Sequence, residues 1–264
     1  MSTETGTTVF DRVVCGVDGS DAGIVAARAA ARLAATDGKL TLLCANDTSI
    51  AVHAGWGMAH VLDELAVDAQ KALERACAEA EPLHRLEAKV VAANPLRALL
   101  AEIESGAATA VVVGSHGHSR AAGIALGGVT AAVLHWAPCA VLVARGAIDP
   151  DHWPRSIVVG VDGSAESARA AEVAAALGAR FDADTRATVA LKEARVDLDA
   201  VRRIAPACEE HAGRALDVFN ALSHSTDLIV VGSRGLRGLR ALGSLSERLA
   251  HEARCSVLVV RSAP

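Results

Sequence analysis

Short apolar runs rich in valine alternate along this chain with longer stretches in which alanine and leucine recur every three or four residues. The short runs predict buried strands, and the longer stretches predict amphipathic helices. In the first half, strands are predicted at 13–17, 40–45, 86–93, 110–113 and 140–144. Helices are predicted at 22–35, 58–81, 95–105 and 129–136. This alternation favours a parallel sheet with right-handed crossovers and helices on both faces.

The second half repeats the first. Val-Cys-Gly-Val-Asp-Gly-Ser at 14–20 returns as Val-Val-Gly-Val-Asp-Gly-Ser at 158–164. Cys-Ala-Val-Leu-Val at 139–143 returns as Cys-Ser-Val-Leu-Val at 255–259. Internal repeats of this length indicate a tandem duplication. The predicted units are 11–146 and 155–262, with a linker at 147–154.

The second unit is shorter than the first. Asp18 and Gly114 are 96 residues apart, whereas the matching Asp162 and Gly232 are 70 apart. We therefore expect the second unit to lack about one crossover helix. Its second and third strands are predicted at 188–192 and 201–207.

A glycine-rich loop follows the strand at 110–113. Its glycines, Gly114, Gly117 and Gly127, have the spacing Gly-x2-Gly-x9-Gly and precede the helix at 129–136. A strand, glycine loop and helix in this order aim free backbone N–H groups at an anion. The spacing differs from the Rossmann and P-loop motifs. The residues alone leave a purely steric turn as an equal alternative.

Three of the predicted strand ends favour a binding site over a simple turn. Asp18, Ala45 and Gly114 each end a predicted parallel strand. Ligands of open parallel sheets bind beyond the carboxyl ends of the strands, where the strand order reverses. We therefore expect these positions to meet in one crevice.

These motifs together resemble the universal stress protein family in its tandem form, from Arg12 to Arg261. The resemblance implies an α/β fold of two flavodoxin-like (HUP-type) domains. Each would have a five-stranded parallel sheet with helices on both faces, and the last strands of the two domains would pair antiparallel. It also implies dimerisation through the last strand. Many members bind ATP across the sheet edge, and others bind no nucleotide.

The resemblance further implies an ATP site, with or without Mg²⁺, mainly in the first unit. The family motif carries a hydroxyl where Gly128 stands here, while Thr130 keeps the second hydroxyl. In the second unit only seven residues separate Gly235 from Gly243, instead of nine. The expected nucleotide-binding residues are Val17, Asp18, Ala45, Gly114, His116, Gly117, Gly127, Gly128, Val129 and Thr130.

Composition excludes several other functions. A net charge of −5 without a lysine–arginine block argues against nucleic acid as a partner. No apolar stretch is long enough for a membrane span, and the N-terminus is not that of a signal peptide, so we expect a cytoplasmic protein. The six cysteines form no Cys-x-x-Cys pair, and His116 and His118 lack a third ligand, so we expect no metal.

Three functions remain. The first is an ATP-binding regulatory module of the stress response, acting on an unnamed protein partner. The second is a nucleotide-free structural or interaction protein of the same family. The third is a weak ATPase, although the sequence contains no recognisable catalytic set. A homodimer of the whole chain is expected from the family resemblance alone.

Overall fold

The computed structural model describes residues 10–47, 58–80, 85–117, 126–192, 196–233 and 244–261. Within these ranges the chain forms ten strands and eight helices. The strands are β1 (Arg12–Val17), β2 (Lys39–Ala45), β3 (Leu86–Val91), β4 (Ala110–Gly114), β5 (Ala140–Ala144), β6 (Ser156–Gly160), β7 (Asp184–Ala190), β8 (Glu209–His211), β9 (Leu228–Ser233) and β10 (Ser256–Arg261). The helices are α1 (Asp21–Leu33), α2 (Met58–Ala80), α3 (Pro95–Ser105), α4 (Gly128–Trp136), α5 (Ala165–Phe181), α6 (Leu198–Ile204), α7 (Ala215–Leu222) and α8 (Ser244–Glu252).

All ten strands belong to one sheet, in the order β3-β2-β1-β4-β5-β10-β9-β6-β7-β8. Each half contributes five parallel strands with the same internal order. The halves meet where β10 runs antiparallel to β5. The predicted fold class and the antiparallel pairing of the last strands are therefore confirmed. The unit boundaries at 11–146 and 155–262 stay a prediction.

The junction between the halves is apolar on both faces of the sheet. Leu258 lies opposite Leu142, and Val257 lies opposite Val143. All four side chains are fully buried. An unpaired β5 or β10 would expose a hydrophobic edge open to further strands, and their pairing covers both edges.

Helices cover both faces of the sheet and extend the two cores across the junction. Helices α1, α2 and α5 pack on one face, and α3, α4, α7 and α8 pack on the other. Small side chains allow this close packing, since Ala26, Ala27, Ala29 and Ala30 of α1 are completely buried. None of the described helices combines the length and apolar character needed to cross a membrane.

Two arginine side chains, one from each half, donate hydrogen bonds to backbone carbonyl oxygens of the other half. Arg145, just after β5, donates to the carbonyl oxygens of Ala253 (2.6 Å) and His251 (3.2 Å) at the end of α8. Arg261, at the end of β10, donates to the carbonyl oxygen of Leu134 in α4. Burial lowers the pKa of the Arg145 guanidinium to about 10, which leaves it charged at neutral pH. A cation at a helix C-terminus is stabilising, so these contacts are reciprocal caps between the halves.

The second half corrects three expectations. Residues predicted as a strand at 201–207 lie mainly in helix α6, and the third strand is β8. The strand predicted at 188–192 begins earlier, at Asp184. The crossover helix is not lost but shortened, because α6 has 7 residues where α2 has 23. Short apolar runs do not distinguish a strand from a helix, and here Val201 is buried against a small cluster at the ends of β6 and β7.

Replacing a leucine at the junction tests whether the two halves unfold together. We expect Leu258→Ala to lower the free energy of unfolding by about 2–5 kcal/mol, the usual loss for a fully buried leucine. Urea unfolding should remain one transition, because both cores cross the junction. The control is Val90→Ala on β3, where the side chain is 40% exposed, and its effect should stay below about 1 kcal/mol. Two separate transitions, of which only one shifts in the variant, would contradict a shared core.

Candidate functional site

A cavity of about 320 Å³ lies at the carboxyl ends of the strands in the first half. It sits where the strand order reverses between β1 and β4, the usual ligand position in sheets of this kind. The structure brings all ten sequence-predicted residues to its lining. These are Val17, Asp18, Ala45, Gly114, His116, Gly117, Gly127, Gly128, Val129 and Thr130.

Sequence reasoning missed the apolar wall of this cavity. Leu43 of β2, Leu99 of α3 and Val113 of β4 line it, together with Gly16 and Pro95. A Cβ at Gly16 would lie 3.1 Å from Leu99 Cδ1, so the glycine allows Leu99 to pack closely against β1. In the sequence, the apolar character of Leu43, Leu99 and Val113 indicated only that they belong to the core. The alignment of strand ends at Ala45 and Gly114 could have suggested Leu43 and Val113, but not Leu99.

The turn after β1 fixes the orientation of the Asp18 carboxylate. Asp18 Oδ1 accepts hydrogen bonds from the backbone N–H (3.0 Å) and the hydroxyl (2.5 Å) of Ser20. Ser20 Oγ in turn accepts from the N–H of Gly23 and caps α1. Gly117 lies against Asp18 Oδ2, where a Cβ would collide with the carboxylate. The carboxylate is thus held between the start of α1 and the glycine loop.

Helix α4 points its N-terminus at the cavity without a side-chain cap. Its N-cap is Gly127, which supplies no side-chain hydrogen bond, and Gly128 and Val129 are exposed. The N–H of Gly127 donates to the carbonyl oxygen of Ser115 at 2.9 Å, which closes the base of the loop. The first N–H groups of a helix have no partner within the helix and carry partial positive charge. This end of α4 can therefore receive an anionic group.

The hydroxyl of Thr130 has a different role from the one its position in the motif suggested. It is buried, and it donates to the carbonyl oxygen of Gly114 at 2.7 Å. Because a hydroxyl has one proton to donate, this proton is already engaged. Thr130 thus connects the first turn of α4 to the end of β4 and also contributes to the lining of the cavity.

Histidine and acidic side chains offer little for a metal among the described residues. His116 is exposed, and its Nδ1 lies 2.9 Å from Ser115 Oγ, while His118 falls outside the described part of the chain. The linker side chains Asp149, Asp151 and His152 could place three ligand atoms together. Arg155 already donates to Asp149 Oδ2 at 2.8 Å, however, and the site lies apart from the cavity.

Around the matching turn of the second half, the described side chains and helix contacts differ from those of the first half. Gly160 corresponds to Gly16, and a Cβ there would lie 2.9 Å from the Phe219 ring, which takes the place of Leu99. The start of α6 also covers the turn after β6, since Asp197 N donates to the carbonyl oxygen of Asp162 at 3.1 Å. The second glycine loop, 234–243, lies outside the described residues, so the spacing of Gly235 and Gly243 stays a sequence prediction.

Two glycines of the site should respond in opposite ways to alanine. A Cβ at Gly114 would lie 2.6 Å from the Ala22 carbonyl oxygen of α1, whereas at Gly128 nothing lies within 4 Å. We expect Gly114→Ala to cost about 1–3 kcal/mol of stability through overpacking. Gly128→Ala should be neutral or stabilising by up to about 1 kcal/mol, because alanine favours the helix. Urea unfolding of both variants measures the difference, and equal effects would contradict this packing.

Comparison with known proteins agrees with this architecture. The universal stress protein family matches residues 10–145 and 208–261. A universal stress protein of Mycobacterium tuberculosis is 33% identical over 186 residues, which cover 60% of this chain and 63% of that protein. The chain thus aligns with less than two thirds of that relative. A universal stress protein of Mycolicibacterium smegmatis is 29% identical over 94% of this chain and 96% of its own length.

Solved structures show the same fold. The crystal structure of a universal stress protein from Archaeoglobus fulgidus covers 96% of this chain and 97% of its own, with a TM-score of 0.72 and 19% identity. The two matched segments of the family span more than half of the chain and fall on both halves of the sheet. The chain belongs to the universal stress protein family.

Proposed function

We propose that this protein is a nucleotide-binding regulatory module of the stress response, with ATP bound in the crevice of the first half. One observation carries the proposal. An apolar wall, an oriented carboxylate and an uncapped helix N-terminus line a single cavity. These three features match the base, the sugar and the phosphates of a nucleotide.

The residues fit ATP in a consistent order across the cavity. The apolar surfaces of Leu43, Leu99 and Val113 suit a purine base. The Asp18 carboxylate, held by Ser20, suits a ribose hydroxyl, since an ionised carboxylate only accepts hydrogen bonds. The backbone N–H groups at the start of α4 suit the phosphates. ATP thus provides a complementary group for each part of the cavity.

The phosphates need more positive charge than the described lining supplies. That lining includes no lysine or arginine, and its ionisable side chains are Asp18 and His116. The backbone N–H groups at the start of α4 stabilise part of the negative charge of the phosphates. Mg²⁺ bound to the phosphates is one source of the rest, so the proposed ligand is ATP with or without Mg²⁺.

The proposal assigns the nucleotide mainly to the first half. Two differences support this assignment: in the second half the larger ring of Phe219 packs against Gly160, and the start of α6 hydrogen-bonds to the turn at Asp162. A nucleotide-free member of the family and a weak ATPase are the two alternatives. We further propose a cytoplasmic location, from the composition of the sequence, and units at 11–146 and 155–262, from its internal repeat.

A charge placed at Gly128 tests the phosphate end of the site. Calorimetric titration of the wild-type chain with ATP and Mg²⁺ should show one site per chain. We expect Gly128→Glu to weaken binding at least tenfold by repulsion, while a carboxylate at a helix start leaves the fold stable. Gly128→Gln, which has the same shape without the charge, should bind much closer to wild type.

The outcomes of this titration separate the three functions. Absence of binding in the wild type would favour the nucleotide-free alternative. Two equivalent sites would overturn the assignment to the first half. Release of phosphate from ATP with repeated turnover would favour the ATPase.

Exchanging the wall residue between the halves tests the base end of the site. Leu99→Phe gives the first half the side chain of the second, and we expect it to fill the cavity and weaken ATP binding at least tenfold. Its cost in stability should stay within about 1–3 kcal/mol. Phe219→Leu is the matched control, which should leave ATP binding unchanged. Tight ATP binding by Leu99→Phe would show that the base does not lie against this wall.

A further inference from the structure

The glycine loop of the first half ends against a helix of the second half. Leu126 is 5% exposed, and its backbone N–H donates to Nδ1 of His251 at 3.5 Å. His251 lies in the last turn of α8. The residue after Leu126 is Gly127, the N-cap of the helix that faces the cavity. A side chain of the second half therefore contacts the chain one position before the N-cap of the proposed phosphate-binding helix.

The first half itself fixes the position of His251. Arg145 donates to the carbonyl oxygen of His251 at 3.2 Å and to that of Ala253 at 2.6 Å. The backbone of Arg145 is anchored in turn, because its N–H donates to Ser256 Oγ and its carbonyl accepts from that hydroxyl, both at 3.0 Å. Strand β5, which Arg145 follows, pairs with β4 beside the cavity. The contacts thus form a closed path from β5 through α8 to the end of the glycine loop.

A second contact joins the two helices directly. His135 Nε2 in α4 lies 3.4 Å from Glu247 Oε1 in α8. His135 and His251 occupy matching positions, each eight residues after the last glycine of its loop, Gly127 or Gly243. Both the helix that faces the cavity and the loop that precedes it therefore contact α8.

We infer that His251, held by Arg145, is a positioning residue that fixes the end of the glycine loop and so sets the nucleotide affinity of the first half. The site is then complete only when the second half is in place. The part of this inference that concerns affinity rests on the proposed function. The positioning of Leu126 is independent of it.

The chemistry of the contact selects the substitutions. Nδ1 accepts a hydrogen bond only in a neutral imidazole whose proton is on Nε2. Asparagine can place its oxygen near the position of Nδ1, so His251→Asn keeps an acceptor. His251→Leu removes the acceptor and leaves a side chain of similar size. His224→Leu is the control, because His224 is an exposed histidine of the same half.

Hydrogen exchange of the Leu126 amide in the full chain without nucleotide measures the positioning directly. We expect exchange about three to ten times faster in His251→Leu, the range for one lost hydrogen bond, and near the wild-type rate in His251→Asn and His224→Leu. Arg145→Lys keeps the positive charge but cannot donate to both carbonyl oxygens in the same way. We expect it too to accelerate exchange of the Leu126 amide. Unchanged exchange in His251→Leu, or equal acceleration in His251→Asn, would overturn the inference.

Titration with ATP then tests the effect on affinity. The dissociation constant of His251→Leu should rise about three- to tenfold, and that of His251→Asn should stay within about twofold of wild type. An unchanged constant in His251→Leu would refute the link to affinity. If the wild type itself binds no ATP, the proposed function fails and the affinity claim fails with it, while the exchange rates still decide whether His251 positions the loop. Urea unfolding of each variant verifies that the fold is intact.

Discussion

The antiparallel pairing of β5 with β10 is the constraint on which the rest of this molecule depends. Each closing strand is apolar on both faces, so neither five-stranded half could expose it to water without an aggregation-prone edge. Their pairing merges two sheets into one and leaves β3 and β8 as its edges. Strand β3 carries charged side chains, and one of them, Lys89, forms an ion pair with Glu102 of α3. Strand β8 has only three residues. Both are usual ways of discouraging further strand addition.

The same junction brings α8 of the second half against α4 and Leu126 of the first. Helices α4 and α8 lie on the same face of the sheet because β5 and β10 are neighbours. Arg145 and Arg261 then reach across to the helix ends of the opposite half. In a duplicated chain, the partner surface of each unit is always present at high effective concentration. A regulatory contact between the halves therefore needs no second molecule.

Local sequence determined most of the first half and much of the site. Buried parallel strands leave apolar runs that stop at or just before a polar residue or a glycine. This made the strand ends at Asp18, Ala45 and Gly114 predictable. Alignment of parallel strands then placed them at one edge. Leu99 could not be predicted as a wall residue, because nothing in its helix separates a side chain beside a cavity from one in the core. The engaged hydroxyl of Thr130 depends likewise on the distance between α4 and β4.

The second half was harder to predict, since its elements are short. A helix of seven residues covers barely two turns, and α6 is held by the Asp197 cap and the burial of Val201 rather than by its own propensity. A strand of three residues such as β8 has too few positions to show a pattern. The contact from Leu126 to His251 spans 125 positions of the sequence and depends on the pairing of β5 with β10. No local pattern could have indicated it.

The two halves share one fold but differ in the side chains around the turn after their first strand. The apolar side chains that line a cavity lack packing contacts on that side. The second half has Phe219 in place of a leucine against Gly160, and the start of α6 hydrogen-bonds to the turn at Asp162. Its strands and helices still support the first half through the shared sheet and through α8. The second unit thus completes the shared sheet, while the described cavity lies in the first.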